Sequence, residues 1–234
     1  MTKPPRLHPG DLAAVASPSW GGPAAFPAAF EAGLRVLRED LGLRVRELPH
    51  ARDAAASPRE RADDLNLAFR DPEVRLVVAS IGGDDSMLLL PHLDAEAARR
   101  DPKILMGYSD TTTLLVWLTR LGVVSFHGPA VMAGFAQAPA LPRAFLDHVR
   151  RALFEAEAIA YAPYGAFCEG YPDWSDPASA ARTHPLRPDP GPRWLQGRGR
   201  HAGPLLGGCI EVLEFLRGTP WLPLDGATWD GRVL

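Results

Sequence analysis

The stretch Lys103-Ile104-Leu105-Met106-Gly107-Tyr108-Ser109-Asp110-Thr111-Thr112-Thr113-Leu114-Leu115 sets the pattern for the rest of the chain. A short apolar run, typical of a buried strand, meets a Gly-x-Ser turn, and a segment with helical periodicity follows at once. This order is typical of a nucleophile elbow, in which a serine hydroxyl stands on a sharp strand-to-helix turn at the carboxyl edge of a sheet. Thr111 occupies the position of the second glycine in the Gly-x-Ser-x-Gly pattern, so the motif is incomplete.

Two interpretations of this turn are open on spacing alone. In the first, Ser109 is a nucleophile, and a helix that begins at Asp110 points its amide donors and its positive dipole end at the developing oxyanion. In the second, the side chain of Ser109 or Asp110 merely caps that helix. The second interpretation describes a non-catalytic α/β domain that binds a small molecule.

Apolar runs and helical segments alternate on both sides of the elbow. Besides the run at Ile104, strands are predicted at 11–16, 43–48, 74–80 and 123–126. Helices are predicted at about 24–41, from Ser57 to about Phe69, after the Gly82-Gly83 pair, after Asp94 and after Ser109. This alternation predicts an α/β fold with a doubly wound, mostly parallel sheet. Ligands bind beyond the carboxyl ends of such strands, where three loops should converge, at 17–20, 82–86 and 108–110.

The composition of the chain changes after about Ala152. Residues 1–152 are predicted to form an N-terminal α/β domain that carries the elbow. Residues 153–203 are predicted to be a linker or ligand-facing loop, because Pro, Gly, Arg and Trp are frequent there and periodicity is weak. Residues 204–234 are predicted to be the incomplete start of a β-rich C-terminal domain, since Arg232-Val233-Leu234 is typical of the beginning of a strand. We therefore expect the chain to be a fragment or to lack its second domain.

Composition excludes several classes of function. The 234 residues are 46% apolar and 23% charged, which is ordinary for a globular protein. The formal net charge is -3 and the basic residues are dispersed, so no nucleic acid partner is expected. Cys168 and Cys209 cannot form a disulfide scaffold, and no cluster has metal-ligand spacing, so neither metal nor cofactor is expected. No apolar run is long enough to cross a bilayer, and the first residues lack a signal-peptide core, which predicts a cytoplasmic protein with no membrane partner.

Several segments, in this order along the chain, resemble the LD-carboxypeptidase family of serine peptidases, family S66. They include Leu7-His8-Pro9-Gly10-Asp11, Asp71-Pro72-Glu73-Val74, Ile81-Gly82-Gly83, Gly107-Tyr108-Ser109-Asp110, Phe126-His127-Gly128-Pro129 and Gly207-Gly208-Cys209-Ile210-Glu211-Val212-Leu213 with Gly218-Thr219-Pro220. Ile81 stands where peptidoglycan-recycling members tend to carry Arg. The resemblance is therefore greater to the branch that includes the microcin C self-immunity proteins.

The resemblance implies a serine hydrolase whose Ser-Glu-His triad is shared between two domains. Ser109 matches the nucleophile, the backbone amides of Asp110 and Gly83 match the oxyanion donors, and Gly82 belongs to the same loop. The implied Glu and His would lie beyond Leu234, so this chain alone is expected to be inactive.

Two substrate classes follow from the resemblance. Family members cleave the amide between an L-residue and a C-terminal D-alanine in murein tetrapeptides, whereas the immunity branch cleaves the amide of a peptidyl- or aminoacyl-nucleotide. Both reactions pass through an acyl-enzyme and need no metal. The implied function is that of a carboxypeptidase or amidase in peptidoglycan recycling or microcin immunity, and the resemblance leaves a homodimer open.

Three further residues, Ser17, Ser86 and Trp174, are candidate substrate contacts. Trp174 resembles an aromatic residue in the linker loop of the immunity branch, where it would stack on a nucleobase, but it could equally pack the linker against the core. Ser86 is expected to help cap the helix after the glycine pair, or to contact substrate. Cys209, which replaces a common Asn, is predicted to be a small buried residue, and His127 is predicted to be structural.

Overall fold

A five-stranded parallel sheet forms the centre of the protein in a computed structural model that describes residues 1–193 and 199–233. The strands are β1 (Leu12–Ala16), β2 (Arg44–Glu47), β3 (Val74–Ala79), β4 (Ile104–Gly107) and β5 (Phe126–His127). They lie in the order β2-β1-β3-β4-β5, and all neighbours are parallel. This is a doubly wound order whose topological switch point lies between β1 and β3. The predicted α/β class and the parallel sheet are confirmed.

Eight α-helices and several tighter turns connect the strands within the described residues. The helices are α1 (Gly22–Ala25), α2 (Pro27–Arg35), α3 (Pro58–Arg70), α4 (Ala95–Arg100), α5 (Thr112–Arg120), α6 (Arg143–Phe154), α7 (Ile210–Leu216) and α8 (Gly226–Trp229). Three-ten turns occur at Ser86–His92, Ser109–Thr111, Ala138–Ala140 and Pro177–Ser179. An antiparallel pair, β6 (Ala166–Phe167) and β7 (Arg187–Pro188), lies in the predicted linker. Across residues 1–193 and 199–233, every helix is too short or too polar to cross a membrane.

Both faces of the sheet are covered. Successive side chains of a strand point to opposite faces, and those of β1 alternate between two apolar cores. Leu12, Ala14 and Ala16 pack in the core that includes residues of α3 and α5. Ala13 and Val15 pack in the other core, with residues of α2 and α6. Every residue of β1 is at most 6% exposed, as expected for a strand buried on both faces.

Local chemistry at Ser57 determines where α3 begins. The Ser57 hydroxyl accepts a hydrogen bond from the Glu60 amide at 3.3 Å, and the Glu60 carboxylate accepts one from the Ser57 amide at 2.8 Å. This reciprocal pair is a capping box, and Pro58 takes the first helical position, where its missing N–H costs nothing. The start of α3 predicted from Ser-Pro is therefore confirmed.

Three elements differ from the prediction. The helix expected over 24–41 is interrupted at Phe26, because Pro27 starts a new helix, and its last turn, Val36–Asp40, is π-helical. The helix expected after the glycine pair is the three-ten turn Ser86–His92, which contains Pro91. The strand expected at 123–126 begins three residues later and pairs with β4 only at Phe126–His127.

The C-terminal residues pack on the same core as the elbow helix. Leu206, Val212, Leu216 and Leu222 belong to the core that contains Leu114 and Trp117 of α5. Near the end of the described chain, Val233 forms an isolated parallel bridge with Leu205, and its amide donates to the Pro204 carbonyl at 3.0 Å. Leu234 and residues 194–198 of the predicted linker lie outside the described residues. The division at 152 and 203 stays a prediction.

We expect Ser57→Ala to lower the free energy of unfolding by about 1 kcal/mol, because the Glu60 amide at the start of α3 loses its capping acceptor. Urea denaturation followed by circular dichroism measures this loss. Arg59→Ala is the matched control in the same first turn, since Arg59 is exposed. It should stay within about 0.5 kcal/mol of the parent protein. An equal effect of the two substitutions would contradict the capping role.

Candidate active site at the β4–α5 turn

Ser109 lies in a strained conformation between β4 and α5. Its φ is 57°, and it is the only non-glycine residue with a positive φ among those the structure describes. Such a conformation costs a residue other than glycine about 1–3 kcal/mol and is concentrated at functional sites. The Thr111 amide donates to the Tyr108 carbonyl at 3.2 Å, which closes a three-ten turn before α5 begins at Thr112. The helix therefore begins two residues later than expected.

Gly82 brings the loop after β3 against this turn. A Cβ on Gly82 would lie 2.7 Å from the Ser109 Cβ, 2.8 Å from its Oγ and 3.5 Å from the Asp110 amide nitrogen. The first two distances are too short for unstrained carbon and oxygen atoms, so any side chain at position 82 would displace Ser109 or the loop. Only glycine allows this approach.

Gly83 makes room for the loop after β1. A Cβ on Gly83 would lie 2.6 Å from the Ser19 Cβ and 2.9 Å from Cδ1 of Trp20. The Ser19 hydroxyl is buried and has no hydrogen-bond partner in the part of the chain that the structure describes. The three loops expected to converge, after β1, β3 and β4, therefore meet at one edge of the sheet.

Hydrogen bonds from Ser86 hold Asp110, the residue that directly follows Ser109 in the elbow. The Ser86 hydroxyl donates to the Asp110 carbonyl at 2.8 Å, and the Ser86 amide donates to the Asp110 carboxylate at 2.9 Å. Ser86 is fully buried and Asp110 is 3% exposed. The structure thus shows Ser86 as a support for Asp110, with its hydroxyl unavailable to a ligand. The side chain before it, that of Asp85, makes no capping hydrogen bond at the three-ten turn.

The structure does not support the interpretation of Ser109 as a helix cap. Neither the three-ten turn nor α5 receives a side-chain capping hydrogen bond, and the residues at their cap positions are Tyr108 and Thr111. The Ser109 hydroxyl has no hydrogen-bond partner within residues 1–193 and 199–233, and the Asp110 carboxylate is occupied by the Ser86 amide. The strained turn thus leaves a serine hydroxyl that serves no structural hydrogen bond.

The backbone around the hydroxyl offers two unpaired donors. The hydrogen bonds among the described residues leave the amide N–H groups of Gly83 and Asp110 without an acceptor. A pair of fixed amides near a nucleophile can stabilise the negative charge of a tetrahedral intermediate. The turn and the loop packed against it thus contain two amides and one serine hydroxyl without hydrogen-bond partners among the described residues.

Ser17 belongs to a buried hydrogen-bond network under the loops. Its hydroxyl donates to the Ala51 carbonyl at 2.6 Å and lies 2.6 Å from the Ser80 hydroxyl. The Arg61 guanidinium donates to the Ser17 carbonyl at 2.8 Å, and burial lowers the pKa of that guanidinium. Ser17 is 3% exposed, so the structure shows it tying β1 to its neighbours rather than presenting its hydroxyl to a ligand.

Two aromatic side chains link the elbow to the predicted linker. The hydroxyls of Tyr108 and Tyr171 share a hydrogen bond. Burial, and then this bond, raise the pKa of Tyr108, so the phenol stays protonated. The His127 ring lies 6.4 Å from the Tyr108 ring, and burial lowers the pKa of His127, which keeps its imidazole neutral at pH 7.

Trp174 packs against the body of the protein. Its ring lies 5.8 Å from that of Phe26 and 5.0 Å from that of Tyr171. The indole N–H is buried and has no acceptor among the described residues. The packing interpretation of Trp174 is therefore observed.

The segment Gly208-Cys209 docks on the first residue of α5. The Cys209 amide donates to the Thr112 hydroxyl at 2.9 Å, and the missing Cβ of Gly208 makes room for the Thr112 side chain. The Cys209 thiol donates to the Glu211 carboxylate at 3.0 Å, which raises the pKa of the thiol. Cys209 is partly exposed rather than buried, although its side chain packs at the edge of the core that contains residues of α5. Among residues 1–193 and 199–233, no group of three or more His, Cys, Asp or Glu residues could hold a metal ion.

Sequence reasoning missed two of these contacts. Tyr171 reaches Tyr108 from 63 positions away, and Cys209 reaches Thr112 from 97 positions away. Local periodicity carries no signal for contacts this distant. The Gly-Gly pairs that begin at Gly82 and Gly207 are the features of the sequence that indicate a close approach of the backbone to the elbow.

The fold and site together define a doubly wound α/β protein with a strained, unpaired serine at the carboxyl edge of its sheet. A model of the LD-carboxypeptidase N-terminal domain of peptidase family S66 matches residues 13–128. The chain belongs to the LD-carboxypeptidase family.

Three named relatives extend the match beyond that domain. A Vibrio cholerae serotype O1 protein that carries the name carboxypeptidase is 34% identical over 172 residues, covering 72% of this chain and 50% of the relative. The Escherichia coli microcin C7 self-immunity protein MccF is 31% identical over 171 residues, covering 70% and 48%. A Bacillus subtilis protein that carries the name murein peptide carboxypeptidase is 34% identical over 132 residues, covering 54% and 40%. The chain spans about half the length of the first two relatives.

Solved structures of MccF and of an MccF-like protein are also similar to this chain. Microcin C7 self-immunity protein MccF in its apo state has a TM-score of 0.85 and 26% identity, over 94% of this chain and 67% of that chain. An MccF-like protein from Bacillus anthracis strain Ames has the same TM-score and 28% identity, over 95% and 67%. MccF has also been solved in complex with aspartyl sulfamoyl adenosine, with a TM-score of 0.85, 26% identity and the same coverage as the apo form.

We expect Gly82→Ala to destabilise the protein by about 1–3 kcal/mol, because the added methyl group overpacks the Ser109 side chain. Chemical denaturation measures the change. Gly207→Ala is the matched control, since a Cβ at Gly207 would meet no atom within 4 Å and its φ is not positive. A Gly82→Ala protein as stable as Gly207→Ala would show that the close approach of the two loops is wrong.

The ion pair of His50 and Asp64, beside the Ser17 network, predicts a pH dependence of stability. The His50 ring lies 3.0 Å from the Asp64 carboxylate, and this hydrogen bond raises the pKa of His50. A raised pKa in the folded state stabilises the protein fully below the unfolded pKa, and the stabilisation is lost as the pH rises through the folded value. His50→Gln should therefore cost most near pH 6 and progressively less toward pH 9.

Urea unfolding at several pH values tests this dependence. His92→Gln is the control, because the exposed His92 ring has no hydrogen bond or ion pair. Its effect on the free energy of unfolding should stay within about 0.5 kcal/mol. A cost of His50→Gln that is constant or grows with pH would contradict the assigned ion pair.

Proposed function

We propose that this chain forms the nucleophile-bearing part of a serine carboxypeptidase or amidase of the LD-carboxypeptidase type. Family membership supplies the class of reaction. The observation that carries the proposal is Ser109, which combines a φ of 57° with a hydroxyl that no described residue occupies. A strained serine that makes no capping bond does not stabilise the fold. Its strained conformation is explained if the hydroxyl takes part in the reaction.

The proposed reaction is acyl transfer. The Ser109 hydroxyl attacks the carbonyl carbon of an amide, and the unpaired amides of Asp110 and Gly83 stabilise the oxyanion that forms. Collapse of this intermediate expels the amine and leaves an acyl group on Ser109. Water then releases the acid and restores the serine. Gly82 permits the close approach of the donor loop, and Ser86 holds Asp110 in place.

The base that activates Ser109 is proposed to lie outside the described residues. A serine hydroxyl is a weak nucleophile until a base accepts its proton, and in triads of this kind that base is a histidine oriented by a carboxylate. Within residues 1–193 and 199–233, no histidine is hydrogen-bonded to Ser109. His127 is neutral and near Tyr108, but we propose that its role is structural. The 234-residue chain is then inactive by itself.

Two substrate classes match the relatives, namely murein peptides that end in D-alanine and aminoacyl- or peptidyl-nucleotides. Structures of MccF with aspartyl sulfamoyl adenosine and glutamyl sulfamoyl guanosine support the second class, and the Bacillus subtilis relative supports the first. Trp174 is proposed to stack on a nucleobase, because its ring is only partly buried against Phe26 and Tyr171. We place the reaction in the cytoplasm, with a small-molecule substrate and with a homodimer as the proposed assembly.

Ser109→Ala tests the nucleophile. The protein should be produced as the 234-residue chain and, if the reading frame continues, in the longer form. We expect the longer form to cleave a murein tetrapeptide or an aminoacyl-nucleotide amide, and Ser109→Ala to lower kcat/KM at least about a thousandfold. In the longer form, a fluorophosphonate probe should label the parent protein and should not label Ser109→Ala.

Ser179→Ala, at the three-ten turn of the linker, is the control and should leave cleavage and labelling unchanged. Equal labelling of the parent and Ser109→Ala would overturn the assignment. Turnover by the 234-residue chain that requires Ser109 would place the base inside it and would contradict the structural role of His127.

A further inference from the structure

An aromatic cavity of about 340 Å³ opens beside the elbow, on the β4–β5 side. The rings that line it come from the end of β4, from β5, from α6 and from the predicted linker. They belong to Tyr108, Phe126, Phe145, Tyr161, Tyr164 and Tyr171. Its volume lies at the lower end of the range for ligand pockets, about 300–1,000 Å³. Nothing in the acyl-transfer chemistry described above uses this cavity.

The polar groups of the cavity are largely paired with one another. The Tyr108 and Tyr171 hydroxyls share one hydrogen bond, and the Tyr164 hydroxyl lies 2.9 Å from Nδ1 of His148. None of the described residues that line the cavity is Lys, Arg, Asp or Glu. A charged ligand group would therefore lose its hydration without gaining an opposite charge. The cavity favours an uncharged group that contacts ring faces and edges.

The cavity is one residue from the proposed nucleophile. Tyr108, which lines it, directly precedes Ser109, and the Gly128 amide donates to the Gly107 carbonyl at 3.1 Å, which holds its rim to the end of β4. Because Tyr108 is covalently joined to Ser109, a ligand whose scissile carbonyl lies at Ser109 can place a neighbouring group in the cavity. The side chain of the residue that supplies the carbonyl is such a group.

We propose that this cavity is the subsite for the side chain of the acyl residue, and that it selects an uncharged aromatic side chain. The proposal rests on the proposed function, because it takes Ser109 as the point of attack. A phenyl or hydroxyphenyl ring has the size and polarity of the space and can pack edge-to-face on the lining rings. An acidic side chain has no basic partner among the lining residues.

Binding of aminoacyl sulfamoyl adenosines, which mimic the substrate but are not cleaved, tests the proposal without turnover. We expect calorimetry to show that the phenylalanyl compound binds at least about tenfold more tightly than the alanyl compound, and that the aspartyl compound binds less tightly than the phenylalanyl one. Ala152→Phe, on the α6 wall of the cavity, should fill the space and remove the preference. Ala144→Phe, an exposed position on the same helix, is the matched control and should retain it.

Equal affinity for the phenylalanyl and alanyl compounds would overturn the subsite, as would a preference that survives Ala152→Phe. Failure of all three compounds to bind would also overturn it. The same titrations on Ser109→Ala separate this proposal from the nucleophile. The phenylalanyl preference should persist in that variant, since removing the hydroxyl leaves the cavity intact. In the longer form, loss of activity with retained preference would support both assignments, and retained activity with retained preference would overturn the nucleophile alone.

Discussion

The contact between Gly82 and Ser109 is the constraint on which the site depends. A serine at a φ of 57° is held there only if its surroundings fill the space that a relaxed backbone would take. The loop after β3 does this because position 82 lacks a Cβ. A second close approach, of Thr111 to Gly107, where a Cβ would lie 2.7 Å from the threonine methyl, fits the turn onto the end of β4. Because Gly82 and Gly107 lack a Cβ, the neighbouring segments pack closely enough to hold Ser109 in its strained conformation.

The supporting contacts explain why this arrangement is rigid. Ser86 holds Asp110 by both its hydroxyl and its amide, and Ser17 and Arg61 join the loop after β1 to the loops around it. These side chains are polar and buried, and each has its hydrogen bonds satisfied within the protein, which is the condition for burying them without a large penalty. Preorganised amides are effective in catalysis because they do not need to reorient as charge develops. The contribution of Ser17 and Ser86 is thus to hold the loops.

Much of the scaffold follows from local pattern. Buried apolar runs predicted β1, β3 and β4, and alternation of apolar and charged residues predicted β2 at the edge, where the structure places it. The Ser-Pro pair predicted the start of α3. The errors occurred where local signals compete, as at Pro27 and Pro91, which shorten or tighten predicted helices. In the site, the elbow pattern pointed to Ser109 and a family resemblance suggested the amides of Asp110 and Gly83, whereas the absence of a capping bond at Ser109 could be seen only in the coordinates.

The sequence by itself determined the order and type of the elements, the family and the position of the serine, because strand and helix periodicity and turn chemistry are local properties. Only the tertiary structure decided that the Ser109 hydroxyl makes no capping bond, that Gly82 rather than Gly83 packs on it, and that Tyr171 closes an aromatic cavity beside it. These facts depend on distances between atoms of loops that are far apart in the chain. They arise only when the parallel sheet brings the carboxyl ends of its strands to one edge.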